Sequence, residues 1–521
     1  MSRVPAGGRP GPAPTAAPAG PRPDRGPAVV PAGTHLALDR STRRPRPGLV
    51  TGGNPWRLLR VTPAADRLLD AWSVGVPVAG RLAERRLAGR LVEAGLAHPR
   101  PGPAPESDGA GGPPPAVTTV VPVRDRPAGL AATLAALDPH DDVVVVDDGS
   151  DDPDATAATV ARRPGTRLAL RGERGGPAAA RNTGWRGLRT AEVVAFLDAD
   201  CTPEAGWTAR LGRYFSNPSL VAIAPRVVPI YPSGNTLGAY EALRSPLDLG
   251  AQPAIVRPGS RVSYVPSAAL LVRRSALESL GGFDEDLPAG EDVDLVWRLG
   301  RLGWVRYEPS VTVGHPVRPT WRAWVAQRRR YGSSAAPLGE RHGPAVAPLV
   351  VGSAPALAWG LLLAGQPAAG TLIALGTALA TGAPRPITRQ PGTRQPSTRW
   401  PSTRRPSAWL EVVPAVLAAE LRAGTAVATA LRRPWWPVAA LASLRSRRAR
   451  RWLLVAAAGP HLVDWWRRRP PGIGPGRFLA CALADDLAYG SGVWTGLLAC
   501  RRPRALRCLL PARPSALRGA A

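Results

Sequence analysis

The chain has 521 residues, with 67 basic side chains against 38 acidic ones and a formal net charge of +29. All 67 are arginine, and together with 61 prolines and 56 glycines they reflect GC-rich codons, so the charge alone is weak support for a nucleic-acid binder. Four cysteines (Cys201, Cys481, Cys500, Cys508), none in a C-x-x-C pair, exclude a disulfide scaffold and the common zinc patterns, and fit a reducing compartment.

The charge is uneven. Residues 385–521 hold 24 arginines against five acids, or +19, whereas the first 384 residues carry 43 against 33, or +10. Residues 1–33 are rich in Pro, Gly and Ala, lack an apolar signal-peptide core, and read as a disordered leader. Residues 34–99 predict a small winged-helix-like module. It has a strand-like run at Trp56–Val61, a helix opening at Thr62-Pro63, and helical spacing of Leu82, Leu87, Leu91, Val92 and Leu96. Residues 100–115 form a Pro/Gly linker.

From 116 to 334 the pattern alternates. Val117–Val123, Val143–Val146, Arg167–Leu170 and Val193–Leu197 read as strands; Pro127–Leu137, Asp154–Arg162 and Ala178–Leu188 read as helices. Continuous apolar strands in this rhythm predict an α/β domain with a mostly parallel sheet, covered on both faces, whose ligands sit beyond the strand ends. Residues 335–384 are apolar: no charge occurs from Gly343 to Pro384, and Pro344–Gly365 and Pro367–Ala383 approach bilayer-crossing length. Residues 385–407 are a low-complexity Arg/Thr/Pro insertion. Residues 408–521 predict helices in which Trp435, Trp436, Trp465 and Trp466 alternate with Arg clusters. That pattern suits either an anionic membrane surface on the cytoplasmic side or a soluble helical cap.

The chemistry-bearing residues follow the strands. Val143–Val146 runs into Asp147-Asp148-Gly149-Ser150, two carboxylates suited to a nucleoside N–H and ribose hydroxyls, though Asp, Gly and Ser also make ordinary turns. Val193–Leu197 ends in Asp198-Ala199-Asp200, a spacing that lets two carboxylates share one divalent cation. Between them lies a Gly-rich loop containing Gly176, where backbone can approach a ligand, followed by Arg181, placed to reach a pyrophosphate. Further on, Gly290-Glu291-Asp292-Val293-Asp294 opens a helix. Asp292 is the candidate general base, although acids in a first helical turn are also simply favourable there.

In this order and spacing the motifs resemble the family 2 inverting glycosyltransferases of the GT-A fold over roughly Thr118–Tyr331. The resemblance implies that Pro122, Asp125, Asp147 and Asp148 hold the nucleotide of a UDP-sugar. It further implies that Asp198 and Asp200 hold the diphosphate through Mn²⁺ or Mg²⁺, and that Asp292 is the base. Gln327-Arg328-Arg329-Arg330-Tyr331 is similar to the Gln-x-x-Arg-Trp motif of polysaccharide synthases with Tyr for Trp. It nominates Gln327, Arg330 and Tyr331, with Glu291, for the acceptor or diphosphate. His315 is either a further metal or diphosphate ligand or a satisfied structural histidine, and Cys201 reads as packing.

The front segment Gly52–Arg60, the start Val121–Pro127 and the tail Asp485-Asp486-Leu487-Ala488-Tyr489-Gly490 resemble the glycosyltransferases of mycofactocin systems. That likeness implies transfer of β-linked glucose to a peptide-derived redox cofactor. It also implies a front module that either recognises peptide or serves as a helical dock. The competing readings are a membrane polysaccharide or glycolipid synthase of the same fold, an inactive peptide-binding scaffold, and, least favoured, a nucleic-acid binder.

Overall fold

The computed structural model describes residues 29–54, 56–101, 115–232, 234–382 and 407–513. Most of the leader, of the linker and of the 385–407 insertion lies outside the described residues.

The front module pairs His35–Leu38 with Ala97–Arg100 antiparallel and adds a three-stranded sheet of Arg43–Arg46, Leu49–Gly52 and Arg57–Arg60. Its helices are Pro63–Ser73 and Leu82–Glu93. The Thr62 hydroxyl accepts from Ala65 N at 3.2 Å and a proline follows at the first helical position, the start read from Thr62-Pro63. Leu69, Trp72, Leu91 and Leu96 fill the core. Order begins earlier than residue 34: Val30 is buried, and its carbonyl accepts from Arg85 Nε at 2.9 Å.

The second unit is built on one large sheet. Its main strands are β1 (Val117–Val123), β2 (Asp142–Asp147), β3 (Arg167–Leu170), β4 (Val193–Leu197), β5 (Leu220–Ile230), β6 (Ala269–Arg273) and β7 (Trp304–Pro316). They lie in the order β7-β5-β6-β4-β1-β2-β3. β1–β4 pair in parallel, as does β5 with β7, but β6 runs antiparallel between β4 and β5. The sheet is therefore mostly parallel, as expected, with β6 reversed among its main strands and two-residue antiparallel strands, Thr202–Pro203 and Ala254–Ile255, on β7. Val120, Val121, Val143, Val145, Val193 and Phe196 are buried because helices cover both faces.

The chain then continues in helices: Trp321–Ser333, Ala335–His342, Ser353–Leu363, Pro367–Gly382, Ser407–Arg432, Trp436–Arg445, Arg447–Arg468 and Pro475–Cys500. The two apolar stretches expected near bilayer length form helices of only 11 and 16 residues. Among the described residues no helix is long and apolar enough to cross a membrane. Gly352 and the break at Ala364–Gln366 interrupt the apolar run, which is why hydropathy alone overestimated it. Two of the four tryptophans, read as suiting either a membrane surface or a soluble cap, hydrogen-bond within the protein. The indole N–H of Trp435 donates to Leu509 O at 2.8 Å and that of Trp465 to Ile473 O at 2.9 Å.

A buried ionic hub anchors this region. Asp485 and Asp486 sit on the Pro475–Cys500 helix. Asp486 accepts from Arg432 Nε at 2.6 Å, Arg433 Nε at 2.6 Å and His461 Nε2 at 2.8 Å. Burial opposes ionisation of Asp486, yet His461 and the two guanidinium groups hold its carboxyl well below the ordinary range. Asp485 takes the Tyr240 hydroxyl at 3.0 Å and pairs with Arg328 Nε at 3.0 Å, joining the tail to the sheet domain. Alongside, Gly332 meets the Tyr489 carbonyl and Gly492 the Arg329 carbonyl so closely that a Cβ at either position fits nowhere.

Asp486→Ala leaves Arg432 without a carboxylate and Arg433 with only Asp485 at 3.9 Å, so an unfolding scan is expected to show a loss of about 3–5 kcal/mol. Trp466→Ala, at a side chain 61% exposed, is expected to change stability by less than about 0.5 kcal/mol in the same scan.

Candidate active site

The carboxylates gather where the strand order predicts, at the adjoining C-terminal ends of β2, β1 and β4. Asp147 ends β2 and is 1% exposed. Its Oδ1 accepts from Ser150 N at 2.7 Å, while its buried Oδ2 has no protein donor. Asp148, next to it, is fully engaged: Arg171 Nε at 2.9 Å, Gly175 N at 3.0 Å and Gly176 N at 2.7 Å all donate to it. The pair thus divides its work. Asp148 shapes the Gly-rich loop, and Asp147 presents an acceptor.

Pro122 lies on β1 opposite Val146, one residue before the strand ends. Just beyond, Asp125 has φ 54°, a left-handed conformation rare for a residue with a side chain. It is held there by Ser150 Oγ, which accepts from Asp125 N at 3.0 Å, and by its own Oδ1, which accepts from Asp151 N at 2.7 Å. Backbone strain retained by two such ties at the mouth of a parallel sheet is typical of a binding site.

Arg181 is buried. Its Nη2 donates to Asp198 Oδ1 at 2.6 Å and its Nη1 to Glu291 Oε1 at 3.3 Å, with the guanidinium 5.4 Å over the Phe283 ring. Burial works against its charge, but Asp198, Glu291 and Asp292 raise its pKa on balance. Rather than standing open to a diphosphate, Arg181 ties the end of β4 to the helix Glu291–Leu302.

Asp200 sits among bases: Arg126 pairs with it directly, His315 Nε2 lies 3.7 Å from its Oδ1, and Arg318 Nη1 lies 3.8 Å from its Oδ2. The described residues hold no group of three His, Cys, Asp or Glu side chains placed for a metal. Asp200 and His315 nonetheless fit a divalent cation as a pair. Their gap is too long for a hydrogen bond, and bonds of about 2.1 Å from each to one ion span it. Arg126, half-exposed, has room to withdraw. Cys201 is packing, as expected: it is buried, its Sγ lies 3.5 Å from Ala268 O, and burial pushes its thiol pKa up.

Gly290, at φ 84°, turns the chain into the helix that carries Glu291 and Asp292; a Cβ there also meets Ser334 at 2.8 Å. Burial pushes the Asp292 carboxyl up to about 7, Glu291 adds to the shift, and Val293 N–H and Arg181 oppose it. The neighbouring Asp294 behaves oppositely. Burial raises its pKa, but His342 Nε2 at 2.9 Å and Arg298 Nε at 2.7 Å outweigh that and lower it. One helical turn therefore carries one acid poised near neutrality and one fixed as a structural anion.

His315, Arg318, Gln327 and Tyr331 line one narrow cleft. Burial pushes the Tyr331 phenol up to about 12; Arg328 opposes this, and Asp292 and Asp198, within electrostatic range, add to it. Arg330 is outside this group, exposed, donating to Pro288 O at 3.3 Å. The buried arginine of that motif is Arg328, whose side chain pairs with Glu241 and stacks 4.9 Å over Trp324. Sequence reasoning also missed Asn182. Its amide donates to Phe283 O at 2.8 Å and accepts from Phe283 N at 2.9 Å, pinning the loop before Asp292. Its place one residue after Arg181 was the only available signal.

The sheet, its strand-end carboxylates and the helix-borne acid define a family 2 glycosyltransferase of the GT-A fold. The family model described as glycosyl transferase family 2 matches residues 118–281. A Pre-mycofactocin glycosyltransferase of Mycobacterium tuberculosis is 40% identical over 470 residues, covering 88% of this chain and 93% of the relative. The chain belongs to the pre-mycofactocin glycosyltransferase family. Glycosyltransferase AglE of Haloferax volcanii is 29% identical over 217 residues, covering 39% of this chain and 68% of AglE. Among solved structures, mannosyltransferase PcManGT from Pyrobaculum calidifontis, in complex with GDP-Man and Mn²⁺, matches with a TM-score of 0.34 and 21% identity, over 66% of this chain and 84% of that one.

Asp292 has a folded pKa near 7 against about 4 in an unfolded chain, so its contribution favours folding most at low pH and is lost as pH rises through 7. Asp292→Asn is therefore expected to stabilise the protein more at pH 8 than at pH 5, by a difference on the order of 1–3 kcal/mol in thermal unfolding. An equal effect at both pH values contradicts the assignment of a raised pKa.

Proposed function

We propose that the chain transfers glucose from UDP-glucose, with inversion to a β-linkage, to a hydroxyl of a peptide-derived redox cofactor of the mycofactocin type. The observation that carries the reading is Asp292, a partly exposed carboxyl with its pKa near 7 on a rigid helix turn. A base of that strength is ionised about half the time at neutral pH and still strong enough to take a proton from a hydroxyl as it attacks. The acceptor is supported by the 40% identity to a relative named for pre-mycofactocin.

Asp147 Oδ2 is matched to the imide N–H of uracil, because a buried acceptor without a donor costs about 1–3 kcal/mol until one arrives. Asp125 stands at the mouth for the ribose. Asp200 and His315 would hold Mn²⁺ or Mg²⁺, which neutralises charge on the departing diphosphate. Asp292 removes the acceptor proton while the hydroxyl oxygen forms its bond to the anomeric carbon. The bond from that carbon to the diphosphate breaks on the opposite face, UDP leaves with the electron pair, and Asp292 passes its proton to water. Tyr331, within electrostatic range of Asp292 and Asp198, lines the acceptor side with Gln327.

On this reading kcat/KM rises about tenfold per pH unit up to about pH 7 and then levels. Asp292→Asn is expected to lower kcat by about 10³-fold with UDP binding retained, and Asp147→Ala to weaken UDP binding by about tenfold in calorimetry. Wild-type transfer by folded Asp292→Asn, measured by mass spectrometry of the product, overturns the mechanism. An α-linked product by NMR overturns inversion.

Exposed side chains of the helical region support a contact with an anionic membrane surface. Leu441, Leu444, Leu454 and Val455 are 56–75% exposed beside Arg445, Arg447, Arg448, Arg450 and Arg451. The protein is expected to sediment with phosphatidylglycerol-containing vesicles more than with phosphatidylcholine vesicles, and Leu444→Glu with Leu454→Glu to abolish the difference. Equal sedimentation with both lipids rejects the contact.

A further inference from the structure

The front module does not seal against the sheet domain. A cavity of about 270 Å³ lies at their seam, bounded on one side by Asp39, Arg40, Glu93 and His98 and on the other by Arg257 and Arg261. It is a separate place from the site described above. The sheet side is the two-residue strand Ala254–Ile255, which pairs with Arg306 and Tyr307 at the start of β7, whereas His315 ends that strand. Tyr307 and His315 stand opposite Ala224 and Pro229, five positions apart on β5, or about 17 Å.

The seam is built for a ligand of mixed charge. His98 is 4% exposed, and its Nε2 lies 2.8 Å from Asp39 Oδ2. Burial lowers the His98 pKa despite Asp39, so the ring is neutral, and the Asp39 contact places the proton on Nε2. Its Nδ1 is then a lone-pair acceptor, buried and without a protein partner. Facing it, Arg261 spends Nη2 on the carbonyls of Gln252 and Pro253, at 3.1 and 2.8 Å. Among the described residues no carboxylate ion-pairs with Arg261 or with Arg40. One wall therefore lacks a hydrogen-bond donor, and the rim arginines have Asp39 near them but no carboxylate in contact. Asp39 and Glu93 disfavour a dianion such as phosphate, and favour an ammonium group beside the anion.

We infer that this seam is a second binding site, which takes an α-ammonium carboxylate, a free amino acid or short peptide, with its N–H donated to His98 Nδ1 and its carboxylate held by Arg261 and Arg40. Such a ligand bridges both units and fixes their relative placement, because Arg257 Nη1 already reaches across the seam to Glu93 O at 3.1 Å. The inference is independent of the transfer reaction.

Glycylglycine, N-acetylglycine and glycinamide titrated calorimetrically into the full-length protein test it. Glycylglycine is expected to bind with a Kd on the order of 1 mM and to raise Tm, with each blocked probe at least about tenfold weaker. Arg261→Gln removes the anion contact at the exposed rim, and His98→Gln keeps a donor for Asp39 while removing Nδ1. Each is expected to weaken glycylglycine about tenfold while UDP affinity is unchanged. Absence of saturable binding, equal binding of the blocked probes, displacement by UDP, or unaltered binding by Arg261→Gln overturns the proposal. If His98→Gln does not fold, Arg261→Gln decides.

Discussion

One buried guanidinium joins the two halves of the candidate site. Arg181 bonds Asp198 at the end of β4 and Glu291 at the start of the base-bearing helix, segments 93 residues apart in the chain. A charge taken out of water is tolerable only with anions in contact, so each partner fixes the other's position. The arrangement also sets the neighbouring chemistry. Glu291 raises the Asp292 pKa while Arg181 lowers it, so the poise near 7 is the remainder of burial and these two opposing charges. A carboxyl held this way is tuned by neighbouring charges as well as by its own burial.

The same rule explains the basic tail. Its 24 arginines and five acids cannot all pair, and the acids go where burial demands them. Asp485 and Asp486 sit inside, against Arg328, Arg432 and Arg433, while Asp464 serves Arg244 and Arg468 nearer the surface. Among the described residues, Arg445, Arg447, Arg450, Arg467, Arg468 and Arg469 stay exposed at the surface. Net charge therefore describes the surface, and the few acids describe the core.

Periodicity made much of the first half of the sheet legible. Of the four strands between Val117 and Leu197, β2 and β4 are continuous buried apolar runs that end at Asp147 and Asp198, because a strand buried on both faces has no polar positions until it emerges. By contrast, β1 reaches Asp125 two residues beyond its end, and the half-exposed β3 meets Arg171. The site aspartates were legible for the same reason, being the residues at those ends. What stayed hidden depends on long-range pairing. Antiparallel β6 fits between β4 and β5 only once both exist, and nothing in Ala269–Arg273 announces its direction. The opposite fates of Asp292 and Asp294 depend on His342, 48 residues beyond Asp294. Likewise Arg328, and not Arg330, is the buried arginine of its motif because Glu241 and Asp485 converge there from 87 residues before and 157 after. The apolar run at 343–384 misled in the opposite sense, since mean hydropathy ignores the breaks that keep its helices short.

Those long-range pairings tie the tail to the candidate site. Gln327 and Tyr331 line the cleft with His315, and they ride on the helix Trp321–Ser333. That helix lies against Pro475–Cys500 at three close approaches, where Gly332, Gly492 and Gly496 each face a backbone carbonyl. Side-chain adjustment cannot relax contacts between backbones, so the distance between the two helices is fixed by glycine itself. Asp485 then sets their register through Arg328, three residues from Tyr331. The width of the cleft lined by His315 and Tyr331 is thus determined by a helix some 150 residues further along the chain. The catalytic sheet supplies the carboxylates, and the C-terminal helices supply the wall that faces them.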